Sequence, residues 1–273
     1  MASMEIESPA NPRIRAAAAL RERRERDRSG LTLVDGLRES IRALEAGVAT
    51  ELALVCPTLL DGAGDGTDRV RTLLRERGTE TVEVSERAFS RVAFGDRNDG
   101  IVLVVRAPGT DLAAIRFPEG EDPLVVVTEH IEKPGNLGAI LRSADGAGAD
   151  AVVAVGGTDL FNPNVIRAST GTVFSVPIAT ATAKAVLHWL REHGLRIVAA
   201  KVDAARLHTA ADLTGPLAIV LGNEASGLSA AWDAPDVESL RLPMLGVADS
   251  LNVSIAGAVL LYEARRQRDG HRR

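Results

Sequence analysis

The sequence predicts an α/β protein of two units, and three observations carry that reading. Short apolar runs alternate with amphipathic stretches along the whole chain, the pattern of strands followed by helices. Between residues 106 and 123 the alternation stops in a segment holding Pro108, Gly109, Pro118, Gly120 and Pro123 with Asp and Glu between them, which reads as a linker. Beyond it the apolar runs are near-continuous, as in Leu124–Thr128, Ala151–Val155 and Leu217–Leu221. Such strands are buried on both faces, as in a parallel sheet covered by helices.

Element by element, Arg13–Arg28 reads as a helix, Leu31–Val34 as a strand, Leu37–Ala46 as an amphipathic helix and Leu52–Val55 as a strand. Asp68–Arg77 follows as a helix, Thr81–Val84 as a strand, Glu86–Ala93 as a helix and Ile101–Val105 as a strand. These form a first unit over residues 1–106, with 107–122 as the linker and 123–273 as the second unit. The second opens on Leu124–Thr128, then helix Leu137–Ala147, strand Ala151–Val155 and a short helix at Pro163–Ser169. It continues with helix Ala183–His193 and strands Arg196–Lys201, Leu217–Leu221 and Ser239–Leu242, and closes on helix Ser254–Arg266. No internal repeat is visible.

Composition narrows the function classes. The chain has 273 residues, 45% of them hydrophobic, which is enough for packed cores and too apolar for disorder. Cys56 is the only cysteine, so there is no disulfide framework and no cysteine-rich metal site, and a reducing, cytoplasmic compartment is expected. Neither a signal peptide at Met1–Asn11 nor a membrane-length apolar run is recognisable. Net charge is -5, yet Asn11–Arg28 carries seven Arg against Glu22, Glu25 and Asp27, a local +4 that leaves -9 for the rest. A basic arm on an acidic body suits RNA contact, and equally a solvated helix of alternating charge.

Three polar islands interrupt plain core at the ends of second-unit elements. The first is Glu132-Lys133-Pro134-Gly135-Asn136-Leu137-Gly138, running into a helix that carries Arg142, expected to face back toward Asn136. The second is Gly222-Asn223-Glu224-Ala225-Ser226-Gly227-Leu228, just after a strand. The third is Leu242–Ser254, ending in Ser250-Leu251-Asn252-Val253-Ser254 at the start of an apolar helix. Ser and Asn there can cap the helix, but a cap does not explain three islands. Open α/β sheets bind ligands at the carboxyl ends of their strands, so all three can line one pocket.

Other patterns fail on context. Gly146-Ala147-Gly148-Ala149-Asp150-Ala151 matches the dinucleotide fingerprint but ends a helix instead of opening one, so it reads as a helix stop. The five His have no ligand spacing, and no metal is expected; no phosphate-binding Gly-Lys-Ser/Thr loop or Ser nucleophile elbow is present.

Asn136-Leu137-Gly138-Ala139-Ile140-Leu141-Arg142-Ser143-Ala144 resembles the first motif of the SpoU (TrmH-type) RNA methyltransferases of the SPOUT superfamily. Leu221-Gly222-Asn223-Glu224 with Gly227-Leu228 resembles the second, and Pro243-Met244 followed by Ser250–Ser254 the third. The resemblance covers about residues 90–273, from the Arg97–Ile101 approach onward, and residues 1–106 are more loosely similar to an L30e-like RNA substrate-binding domain. Within the family the pattern looks most like ribosomal RNA methyltransferases that protect bacteria against antibiotics.

The resemblance implies a SPOUT domain with a parallel sheet and a deep trefoil knot, S-adenosylmethionine as cofactor, a homodimer with the active site across its interface, and 2′-O-methylation of RNA ribose, 23S ribosomal RNA first. It implies that Gly222, Leu242 and Leu251 contact the cofactor, largely through backbone. Arg142 would take or stabilise away the 2′-hydroxyl proton, Asn136 would position Arg142 or the ribose, and Glu224 would orient its neighbours. Ser250, Asn252 and Ser254 would order the knot, and Leu260, Leu261 and Tyr262 would supply part of the dimer surface, although the intrachain core explains that apolar stripe equally well. Taken singly, Asn136 could be a helix cap, Arg142 a solvated helical residue and Glu224 a turn residue; their joint order and spacing tells against that. Lys133 and Arg167 read first as surface charges and second as phosphate contacts. The competing readings are a transfer-RNA enzyme of the same chemistry, a catalytically inactive RNA-binding module and, more distantly, a nicotinamide enzyme.

Overall fold

A computed structural model describes residues 5–94, 98–156 and 159–271, so Arg97 lies outside the described residues. The chain divides into two compact units, Met1–Pro108 with Asp159–Ser175, and Gly109–Thr158 with Val176–Arg273. Among the described residues no helix is long and apolar enough to cross a membrane.

In the first unit, helices α1 (Pro12–Ala19) and α2 (Arg23–Ser29) precede strand β1 (Leu31–Asp35), helix α3 (Leu37–Glu45) and strand β2 (Thr50–Val55). Helices α4 (Pro57–Leu60) and α5 (Thr67–Glu76), strand β3 (Thr81–Glu83), helix α6 (Glu86–Phe89) and strand β4 (Ile101–Arg106) complete it. The sheet order is β1-β4-β2-β3, with β4 antiparallel to both neighbours and β3 parallel to β2. The single helix expected over Arg13–Arg28 is two helices. Leu20 turns back on Ala17, and the Arg26 guanidinium donates to the Leu20 and Arg21 carbonyls exposed by the break.

Residues 159–175, expected in the second unit, pack with the first. Their short helix α8 (Pro163–Ala168) lies against β1. Buried Arg26 pairs with Asp159, Thr32 Oγ1 donates to the Phe161 carbonyl at 2.7 Å, and Arg42 donates to the Thr170 carbonyl at 2.6 Å. A buried charge and a buried hydroxyl need partners, and this segment supplies them.

The second unit holds strands β5 (Leu124–Glu129), β6 (Ala151–Val155), β7 (Ile178–Ala181), β8 (Arg196–Ala200), β9 (Arg206–Leu207), β10 (Leu217–Leu221) and β11 (Val237–Arg241). Its helices are α7 (Pro134–Ala147), α9 (Ala183–Glu192) and α10 (Val253–His271). The strands form one parallel sheet in the order β7-β6-β5-β10-β8-β11-β9. Helix α9 and Trp232 cover one face through Val186, Leu190, Val125, Val127 and Val220. On the other, α7 and α10 pack together, burying Leu137, Ile140, Leu141, Leu260 and Leu261. As expected of a stop, α7 ends at Gly148, whose φ of 66° is open to glycine at little cost. Edge strand β7 had no sequence signal, because Pro177 and three Ala or Thr residues hide its apolar content. The 107–122 stretch, linker-like in composition, is packed: Ile115 is buried in the second core beside Leu112 and Phe117, and the Thr110 carbonyl accepts from Thr180 N–H.

Candidate functional site

Strand order alone places the site. The chain runs outward from β5 through β6 to β7, and β10 then pairs on the opposite side of β5. The sheet therefore switches direction between β5 and β10, and a crevice opens beyond their carboxyl ends. The loops leaving β5, β10 and β11 are the three polar islands.

They meet in one hydrogen-bonded triangle. Asn136 Nδ2 donates to Glu224 Oε1 at 3.0 Å, Asn252 Nδ2 donates to the same oxygen at 2.7 Å, and Asn252 Nδ2 also donates to Asn136 Oδ1 at 3.0 Å. The other carboxylate oxygen, Oε2, accepts from Lys133 Nζ at 2.9 Å. Chiefly through that ammonium, and further through Val253 N–H and the Asn136 amide, the Glu224 carboxyl is held below its usual range. Asn252 also caps α10: its Oδ1 accepts Ser254 N–H at 3.0 Å and Ser254 Oγ–H at 2.6 Å. Asn136 is no cap, since Lys133 occupies that position and Asn136 lies in the first turn.

The β10 loop is folded on itself. Asn223 and Gly227 bond backbone to backbone in both directions, and Asn223 Nδ2 donates to the His130 carbonyl at 2.8 Å, tying this loop to the one after β5. A Cβ on Gly222 would stand 2.6 Å from the Gly227 carbonyl carbon and oxygen, so only glycine fits. Buried Glu129, which the sequence reading overlooked, anchors the loop's far end by accepting Ser229 N–H at 2.7 Å and Ser229 Oγ–H at 2.8 Å. Its signal was an acidic residue ending an otherwise apolar strand.

Not every expected residue joins the triangle. Ser250 is exposed and makes no hydrogen bond among the described residues. Arg142 is exposed on α7 and likewise unpartnered; six residues on from Asn136 it has turned roughly 120° away, not back toward it. Tyr262 Oη would stand 2.8 Å from a Cβ on Gly146, one turn after Arg142, and Arg265 donates to the Ala147 carbonyl. Helices α7 and α10 thus run parallel, with Arg142 level with Val259. Ile255, Val259 and Tyr262 form an exposed apolar stripe there, at 54%, 38% and 53% exposure. Leu260 and Leu261, for which dimer surface and intrachain core were equally open, are buried in the core. Arg167 is tied down in the first unit by Asp35 and the Phe94 carbonyl.

Leu242 is half-buried and Leu251 partly exposed, at the two ends of the β11 loop. Between them run Pro243, Met244, Leu245, Gly246 and Val247, and no backbone group of Leu242–Leu251 has a hydrogen-bond partner among the described residues. Leu245 and Val247 stand fully exposed, so the N–H and C=O groups of this segment face solvent and are open to a ligand. Among the described residues no group of three or more His, Cys, Asp or Glu could hold a metal ion.

The family profile of the SpoU rRNA Methylase family matches residues 123–262, the span that carries the triangle. The chain belongs to that family. It is an RNA methyltransferase by that membership, with a parallel-sheet α/β methylase domain. An MRM3-like substrate binding domain matches residues 11–103. A 23S rRNA (uridine(2479)-2′-O)-methyltransferase of Streptomyces viridochromogenes is 35% identical over 264 residues, spanning 92% of this chain and 88% of that one. A crystal structure of an RNA 2′-O ribose methyltransferase superposes with a TM-score of 0.83 at 44% identity, covering 97% of this chain and 99% of that one. The SpoU methyltransferase AviRb from S. viridochromogenes, in complex with AdoMet, superposes with a TM-score of 0.82 at 31% identity, covering 94% and 98%.

Proposed function

We propose that this SpoU-family chain transfers a methyl group from S-adenosylmethionine to a ribose 2′-oxygen of 23S ribosomal RNA, in the cytoplasm. The observation that carries the reading is the Asn136–Glu224–Asn252 triangle at the sheet's switch point. The free backbone of Leu242–Leu251 fits the cofactor, with Gly222, Leu242 and Leu251 as its contacts. That cofactor supplies an electrophilic methyl. The order of the sheet, with the late strands β10 and β11 lodged among earlier ones, supports a trefoil knot in this region. Residues 1–106, with Asp159–Ser175 packed among them, are proposed as the L30e-like RNA-binding domain, and Gly109–Thr158 with Val176–Arg273 as the methylase domain.

A ribose hydroxyl is a poor nucleophile at neutral pH, so its proton must be taken or its alkoxide stabilised. Arg142 is the candidate, and a charged guanidinium acts most simply by stabilising the developing alkoxide. Its position beside the Ile255–Val259–Tyr262 stripe supports a homodimer in which Arg142 serves the partner's cofactor loop. Ser250, exposed near the N-terminus of α10, is proposed to touch substrate or partner and not to order the loop.

Incubation with methyl-labelled S-adenosylmethionine and ribosomal or transfer RNA tests the reading. Label in one 2′-O-methylated ribose of 23S RNA supports it. Label in transfer RNA selects the same chemistry on another substrate, and cofactor binding without transfer selects an RNA-binding module. Resistance to a ribosome-targeting antibiotic is proposed as the physiological outcome, on the motif resemblance alone.

A further inference from the structure

The loop after β5 holds a strained residue that the methylase site has not accounted for. His130 has a φ of 53°, in the left-handed region that glycine enters freely and a side chain enters with strain. Such residues persist where their surroundings fix them, and they gather at functional sites. The His130 N–H donates to the Val155 carbonyl at 2.9 Å, and its carbonyl accepts from Asn223 Nδ2 at 2.8 Å. Both are backbone bonds that a glycine would make equally well, so they explain the turn and not the imidazole. The ring has its own support. A Cβ on Gly156 would stand 2.3 Å from both Nδ1 and Cε1 of His130 and 3.1 Å from Cγ. An approach in the ring's plane to the Nδ1–Cε1 edge would leave Cγ farther off, so Gly156 lies against the flat of the ring. His130 is nonetheless exposed, which leaves the opposite face open. Neither ring nitrogen has a hydrogen-bond partner among the described residues.

We infer that His130 is a stacking platform for a nucleobase of the RNA, at or next to the methylated ribose: one face of its imidazole is braced on Gly156 and the other is open at the rim of the crevice. RNA as the ligand rests on the proposed function. The place follows from the chain, because Asn223, which holds the His130 carbonyl, directly precedes Glu224 of the triangle. Unpaired bases of RNA are commonly taken up on flat side chains, histidine among them. A ring whose backbone and rear face are already fixed loses little freedom when a base covers its front. Every base has a flat face, so the platform holds the nucleotide in place without reading which base it carries.

The test compares the full-length wild type with His130→Gly and His130→Phe. Glycine removes the ring and relieves the backbone, so the melting temperature should hold or rise. Phenylalanine keeps a flat ring without nitrogens. In single-turnover methyl transfer, the half-saturating concentration of 23S RNA should rise about tenfold in His130→Gly, the usual scale for one lost base stack. His130→Phe should restore most of it, and calorimetry should find S-adenosylmethionine binding unchanged in both. A second measurement needs no turnover. The Cε1–H and Cδ2–H resonances of His130 should move upfield as a mixed-sequence single-stranded oligoribonucleotide is added, because a base then covers the ring. Unmoved resonances overturn the inference, and so does His130→Gly with the RNA dependence of wild type. So does a fall in cofactor affinity with His130→Gly, which would make the ring a cofactor contact. His130→Phe as weak as His130→Gly, with cofactor binding intact, would assign the effect to the ring nitrogens and overturn stacking. If the resonances move while wild type methylates no RNA, the platform stands and the proposed function is what has failed.

Discussion

Asn252 holds two structures together at once, as helix cap and as a corner of the triangle. Losing a cap costs about 1 kcal/mol, so Asn252→Ala should lower the unfolding free energy of the methylase domain by roughly that much. Methyl transfer should fall much further, and proportionate losses would reduce the residue to a cap. Arg142→Ala should lower the rate of transfer by about 10²–10³-fold, the usual cost of an electrostatic contact to a developing oxyanion. Calorimetry should find S-adenosylmethionine binding intact. In the first unit, burial pushes the Asp35 carboxyl up to about 6 against the lowering effects of Phe94 N–H and Arg167. A raised acid pKa means that the folded state holds the proton more tightly. Stability therefore falls as pH rises from about 4 to above 6, by ~3 kcal/mol at most. Asp35→Asn should flatten that slope in a series of thermal melts.

The polar islands were legible because buried strands leave little reason for Asn, Glu and Ser in register at their ends. The angle of Arg142 was not, although the six-residue spacing contained it: turning roughly 120° from Asn136 follows from 3.6 residues per turn. The apolar residues of α10 showed a helix but not which stripe faces the core; of the two readings open for Leu260 and Leu261, dimer surface and intrachain core, the core is the one the structure has. Val259→Glu should leave the melting temperature near wild type, since Val259 is 38% exposed. It should shift sedimentation from dimer to monomer and reduce transfer in proportion. Gly222→Ala is expected to open the β10 loop, because the added methyl meets backbone and not a movable side chain. Cofactor affinity should drop at least tenfold in calorimetry while the sheet keeps its circular dichroism.

At the scale of the chain, alternating apolar runs were enough for two α/β units, but not for Asp159–Ser175 joining the first. Local periodicity carries no information about which core a short helix chooses; that choice rests on partners far away in sequence, Thr32, Arg26 and Arg42. The basic arm is reduced on folding. Arg13 pairs with Glu80, Arg23 with Asp27, Arg26 with Asp159 and Arg28 with Glu25, and Arg21 lies over the Phe94 ring. Arg15 and Arg24 remain exposed without partners among the described residues, so the arm offers RNA two free charges in place of seven. The most direct measurement of the whole account is nucleotide mapping of ribosomal RNA after incubation with the purified chain and labelled S-adenosylmethionine, run beside Glu224→Ala. A single 2′-O-methylated position in 23S RNA, absent with Glu224→Ala, is the expected result. Equal methylation by Glu224→Ala, or label on a base in place of the ribose, would contradict it.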